Sequence, residues 1–381
     1  MIRAAALALA ACVCLGGCNY ARQALDYGRG PFDGERAVAA SEPVYDGLHE
    51  SAWDSASADG AAASSGVLFV ANKRGNSVSR IDLSSGRTTH EVAACENPHE
   101  LALSPDGKHV ALGCYGGTRV DIFASDTLTK RASIDLGENA RPHGLIWHRD
   151  GDIFATTEGH RSIIRISEPF GAARLTEFST GQEGSHMLAV DADTRWAWTT
   201  DLGSRTVTRI DLRGREEPLS VTVGEQPEGI ALTPDGETLW VSVRGSDQAF
   251  ALDPVTMEIR ETLETGGFPL RLAVRPQGDV AITSNLTAGS LSVIDLAKAD
   301  VVRTIRVSGR EGAQRRFQVT ILWSDDGSRI YVAETASNTV AEIDYASGTI
   351  LRRLKTGEGG DGLAILRGRP RTMQTKMKDT Q

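Results

Sequence analysis

Short apolar runs separated by polar turns fill most of the chain, and they return at a fixed interval. Leu101-Ala102-Leu103, Leu145-Ile146-Trp147, Leu188-Ala189-Val190, Ile230-Ala231-Leu232, Leu272-Ala273-Val274, Ile321-Leu322-Trp323 and Leu363-Ala364-Ile365 begin at steps of 42 to 44 residues, with one step of 49. Such lengths suit strands rather than helices. A turn signal follows, as Ser104-Pro105-Asp106-Gly107 and Thr233-Pro234-Asp235-Gly236, and in weaker form as Arg149-Asp150-Gly151, Arg275-Pro276-Gln277-Gly278 and Asp325-Asp326-Gly327. A second strand comes next, among them Leu68-Phe69-Val70-Ala71-Asn72, Ile153-Phe154-Ala155, Leu239-Trp240-Val241 and Ile330-Tyr331-Val332-Ala333. A third ends in Arg80-Ile81-Asp82, Arg209-Ile210-Asp211, Val293-Ile294-Asp295 or Glu342-Ile343-Asp344, and a fourth such as Leu351-Arg352-Arg353-Leu354 completes the unit.

Four short strands per repeat cannot bury both sheet faces alone, so the units must stack on one another. Seven first strands and seven second strands predict an all-β, seven-bladed β-propeller of four-stranded antiparallel blades over residues 66–366. The repeat opens on a second strand at Leu68 and ends on a first strand at Leu363. The C-terminal strand is therefore expected to complete the N-terminal blade and leave no open edge in the ring. Tryptophans 147, 198, 240 and 323 fall on strand positions and are read as packing between blades.

These residues resemble the YVTN-type repeat of the lactonase and cytochrome d1-like propellers, with its Pro-Asp-Gly turn, Tyr-Val-Thr-Asn-like strand and Ile-Asp strand end. The resemblance implies the fold; it leaves function open, because one fold serves many.

In such a ring the first strand lies nearest the axis. Two residues ahead of each apolar run stand His99, His143, His186, Glu228, Leu270, Val319 and Asp361, so three histidines share one phase in consecutive units. The loops after the second strands are expected at the same mouth, with Asn72, Glu158, His160, Asp201, Arg244, Asn285 and Glu334. Two readings stand side by side. Duplication alone can leave strand-capping histidines, or His99, His143, His186 and His160 converge as ligands of Zn, Mn or Cu, for which imidazole and carboxylate are common donors. The 49-residue step places its surplus at Ser308 to Arg316. It reads as a mouth-side loop in which Arg315 and Arg316, with Arg244 and Arg271, hold a small anionic ligand; a merely solvated loop is the alternative.

Composition narrows the partners. Among 381 residues the net charge is −9, which opposes binding to nucleic acid. No run of eighteen apolar residues occurs. Met1-Ile2-Arg3 followed by the apolar stretch Ala4 to Leu15 reads as a signal peptide over residues 1–17. Leu15-Gly16-Gly17-Cys18 resembles the lipobox of bacterial lipoproteins, implying a lipidated Cys18 and, with Asn19 following, an outer-membrane location facing the periplasm or cell surface. Residues 18–65, rich in Ala, Ser, Asp and Gly, read as a tether, and residues 367–381 as a basic tail. Cys95 and Cys114 are the thiols left after the signal and Cys18, and in an oxidising compartment they either pair or stay buried as free thiols.

No Cys-x-x-Cys-His, Gly-x-Ser-x-Gly or Walker A pattern is present. The leading expectation is a lipid-anchored, monomeric propeller that binds a small ligand or protein partner at its funnel. The second is a metal-assisted enzyme resembling propeller lactonases or lyases, with Glu158, Asp201 or Glu228 as base. A copper redox centre on the histidines is a third.

Overall fold

The computed structural model describes residues 64–368. The expected signal peptide, the expected lipidation site Cys18, most of the expected tether and the chain beyond residue 368 lie outside the described residues. Seven four-stranded antiparallel sheets make up the rest, each ordered from inner to outer strand. Blade one takes its inner strand from the C-terminus: β28 (Gly360–Arg367) pairs with β1 (Gly66–Asn72), Gly66 facing Arg367. Blades two to seven begin with β4 (Pro98–Leu103), β8 (Pro142–Trp147), β12 (Ser185–Val190), β16 (Pro227–Leu232), β20 (Pro269–Val274) and β24 (Gln318–Trp323). The propeller of seven blades, and its closure by the last strand, are as the repeat predicts.

Radial position explains the strand compositions. Second strands are covered on both faces by neighbouring blades and are buried along their whole length, as in Ile153–Thr157 and Trp196–Asp201, so they read as continuous apolar runs. The outermost strands face solvent and are largely exposed, as in Arg87–Ala93, Arg174–Ser179 and Ile259–Glu264, which is why the sequence marks them so weakly. Trp198, Trp240, Phe69, Phe123 and Phe154 are buried in the sheets. The indole of Trp198 also donates to the carbonyl of Pro254 at 2.9 Å.

The turn signature has a mechanical origin. Asp106 accepts from the Ser104 hydroxyl at 2.7 Å and from the backbone of Lys108 at 3.0 Å, and Asp235 and Asp326 repeat the pattern with Thr233 and Ser324. Gly107 and Gly236 then take φ of +68° and +77°, a region that a side chain disfavours.

The surplus residues correct one expectation. They form an eight-residue helix, α1 (Gly309–Arg316), rather than a loop. It joins an outer strand to the start of β24 and therefore sits on the mouth side. Arg316 pairs with Glu334 at 3.5 Å, a carboxylate that also accepts from Arg353 and Thr339. Arg315 is exposed on the last turn.

Candidate functional site

Every inner strand bulges at its first residues. In blade two, Pro98 faces Cys114 but Leu101 already faces Leu112, so one residue is extra on the inner strand, and the shift recurs in the other blades. A bulge leaves residues out of the ladder and re-aims their side chains. Here the second residue of each inner strand joins a ring around the mouth, and in blades two, six and seven the third does too, as Glu100, Arg271 and Thr320, whose hydroxyl donates to Asp361 at 3.1 Å. Where the third is glycine, the next blade's backbone is close: a Cβ on Gly362 would lie 1.9 Å from the carbonyl oxygen of His99.

The three histidines of one repeat phase form a ladder. Ring centroids of His99 and His143 are 4.1 Å apart, and those of His143 and His186 are 3.6 Å apart. Each of the three is buried. His186 is held at both nitrogens, Nδ1 lying 2.6 Å from Glu158 and Nε2 3.1 Å from Glu228. His99 Nε2 is 3.5 Å from Asp361 and its Nδ1 3.5 Å from Glu100. His143, at 2 % exposure, has no hydrogen-bond partner at Nδ1.

Cations close the network. Arg271 donates to Glu228, and across the channel to Glu100 at 3.0 Å. Arg244 Nη1 lies 2.7 Å from the second oxygen of Glu228, an ion pair without the alignment of a hydrogen bond. Lys73 donates to Asp361 at 2.6 Å. Tyr115 packs edge-on to His143 at 5.3 Å, and its hydroxyl donates to Glu158 at 2.7 Å while accepting from Arg141. Cys114, the residue before Tyr115, is disulfide-bonded to Cys95, which ties that strand end to the loop leading into His99.

The electrostatics follow from these contacts. Burial would raise Glu228, but the charges of Arg244, His186 and Arg271 outweigh it and hold the carboxyl well below its usual range. Burial is likewise overcome at Glu158, by His186, Tyr115 and Arg141, and at Glu100, by His99 and Arg271. His186 is raised, because Glu228 and Glu158 outweigh its burial. His143 is driven well below its usual value by burial and then by the charges of His186 and His99. Its neutral form is therefore favoured, and a neutral imidazole keeps a lone pair on one ring nitrogen.

Two overlapping donor sets result. In His99, Glu100 and His143, and again in His143, Glu158 and His186, one ligating atom from each residue lies within 4.8 Å of the others. Two imidazoles and a carboxylate suit a divalent transition metal.

Two of the expected metal-binding and acid–base residues sit elsewhere. His160 Nε2 donates to the carbonyl of Glu138 at 2.8 Å, and its Nδ1 faces Glu177 of the outer strand at 3.6 Å. Asp201 is enclosed by the hydroxyls of Ser185, Thr199, Thr206 and Thr208 at 2.6 to 3.0 Å. The last residue of a second strand thus clasps the third strand, as Asn72 does through Ser77 and Ser79. The residue one further on turns into the mouth. Strand alternation makes a one-residue slip a change of face, and reading that later phase strictly gives Lys73, Tyr115, Glu158 and Arg244. Glu100, re-aimed by the bulge of its strand, has no such signal in the repeat.

Fold and site together define a propeller with a charged, histidine-lined channel mouth. The chain belongs to the lactonase family of seven-bladed β-propellers, whose sequence profile matches residues 60–307. It is 23% identical to antigen Lp49 of Leptospira interrogans over 197 residues, 45% of this chain and 42% of that protein. It is also 23% identical to protein NirF of Pseudomonas aeruginosa over 221 residues, 56% of this chain and 47% of that one. The chain thus aligns with under half the length of either relative. The solved structure of a streptogramin B lyase superposes with a TM-score of 0.60 at 16% identity, covering 71% of this chain and 87% of the lyase; that likeness speaks for the fold.

Proposed function

We propose that the protein is a cell-envelope binding propeller, held by lipid at Cys18, that captures a divalent transition metal ion at its channel mouth. One observation carries the reading. His143 is a buried, neutral imidazole whose Nδ1 has no hydrogen-bond partner, placed where two donor trios overlap. Burying an unsatisfied polar atom is costly unless something satisfies it. His99 or His186 with Glu100 or Glu158 would complete the donor set, and Zn, Mn and Cu are its candidates.

The carboxylates favour binding over proton transfer. A general base works best with a pKa near the operating pH; Glu158 and Glu228 are held low by their cationic partners, and Asp201 is locked inside its blade. A lactonase- or lyase-like reaction, which the family and the streptogramin B lyase would suggest by analogy, would have to use the metal or a histidine rather than these acids.

Metal analysis of the full-length protein, stripped with chelator and dialysed against Zn, tests the proposal. One bound ion per chain, lost in a folded His143→Ala variant, is expected. Failure of the wild-type protein to hold a stoichiometric ion would refute it. Incorporation of a fatty-acid label that Cys18→Ser removes would test the anchor separately.

A further inference from the structure

The charge balance at the mouth leaves a metal-loaded site short of negative charge. Four acids meet in the network, Glu100, Glu158, Glu228 and Asp361. Four cations answer them, Lys73, Arg141, Arg244 and Arg271. With the histidines neutral, as metal ligation requires, these formal charges cancel, and a bound dication adds two positive charges to a cluster in which Glu100, Glu228, Asp361, Arg244 and Arg271 are buried and Arg141 is half exposed. An uncompensated charge in such surroundings is strongly disfavoured. The same binding draws on Glu100 or Glu158, and so competes with the guanidinium that each now faces.

Arg271 is the group best placed to take up what is missing. It extends from blade six and holds a carboxylate from blade five and another from blade two, Glu228 and Glu100, with different nitrogens of one fork. A planar fork that already accepts carboxylates from two directions suits a planar carboxylate ligand. Leu270 and Val319, both fully buried, occupy the corresponding inner-strand positions in blades six and seven, so that side of the ring offers no acid of its own.

We infer that the mouth binds its metal together with a small carboxylate anion, the anion held by Arg271 and the two ligands binding with positive coupling. This rests on the metal-binding reading above. Coupling is reciprocal: each ligand must raise the affinity of the other by the same factor.

Cobalt(II) serves as a visible probe. Full-length protein loaded with one Co(II) is titrated with sodium acetate, with sodium perchlorate at equal ionic strength as control. Acetate is expected to change the cobalt absorption saturably and to raise Co(II) affinity by about tenfold or more. In a folded Arg271→Lys variant, which keeps the charge beside Glu228 and Glu100 without the fork, the acetate response, read at saturating Co(II) whatever the variant's own metal affinity, should largely disappear. A wild-type protein that holds one Co(II) and is indifferent to acetate would overturn this inference and leave the metal site standing. A wild-type protein that holds no Co(II) would overturn both.

Discussion

His143 and His186 stack with ring centroids 3.6 Å apart and planes at 30°, yet their surroundings drive them in opposite directions. Burial and neighbouring positive charge keep the first neutral, while Glu228 and Glu158 overcome burial at the second and favour its protonated form. The pair is thus a neutral imidazole beside one that favours its proton, and the second would have to give that proton up if both were to bind one ion.

Because the two donor trios share only His143, the histidine variants should not be equivalent. His99→Ala leaves His143, Glu158 and His186 intact, and His186→Ala leaves His99, Glu100 and His143. Each should retain metal with affinity lowered by about tenfold, whereas His143→Ala breaks both trios and should abolish binding. Equilibrium dialysis of the three variants checks the order; equal losses would mean that the trios do not act as alternatives.

Glu228 is 1 % exposed and faces Arg244, Arg271 and His186 at once. Removing its charge strands buried cations. Glu228→Gln should lower unfolding stability by about 3–5 kcal/mol, read from urea denaturation. A loss below about 1 kcal/mol, the scale of an exposed pair, would show that water screens the cluster.

Asp201 supplies a pH test inside a blade, with only hydroxyls and no histidine among its side-chain partners. Burial raises its pKa to about 6, against four hydroxyl donors that lower it. An acid raised on folding favours the folded state while neutral and weakens it on ionisation, so this contribution falls as pH climbs from about 4 through 6 and then levels off. Asn occupies the same clasp position at 72 and 285. Asp201→Asn should therefore gain on the wild type by about 2–3 kcal/mol between pH 4 and pH 7.5. A difference in Tm that stays constant with pH would contradict it.

Gly362 marks where one blade's backbone must approach the next. Its missing Cβ would meet the His99 carbonyl oxygen at 1.9 Å, whereas a Cβ on Gly171 would find its nearest neighbour at an ordinary 3.9 Å. Gly362→Ala is expected to cost more than about 2 kcal/mol and to weaken metal retention by shifting His99. Gly171→Ala should be near neutral in thermal melts and metal binding alike.

The residues legible in the sequence and those hidden in it differ by a physical rule. Inner-strand positions repeat in register, so His99, His143 and His186 align on one phase by their spacing alone. Lys73 and Tyr115 are obscured because the second-strand ends mix two phases, and Asn72 and Asp201 belong to the face that clasps the third strand. Glu100 faces the mouth because of a bulge, which leaves no mark in the hydrophobic pattern. Arg315 and Arg316 stand in a surplus segment whose length is legible but whose helix is not.

The chain alone determined that there are seven blades, which strand closes the ring and which residues head the inner strands, because each follows from a spacing of 42 to 44 residues, broken once by a step of 49, that keeps equivalent positions in phase. Only the tertiary structure decided which of those residues touch. Arg271 and Glu100 are 171 positions apart and meet at 3.0 Å, since circular closure brings blades two and six to opposite sides of one narrow channel and a guanidinium is long enough to cross it.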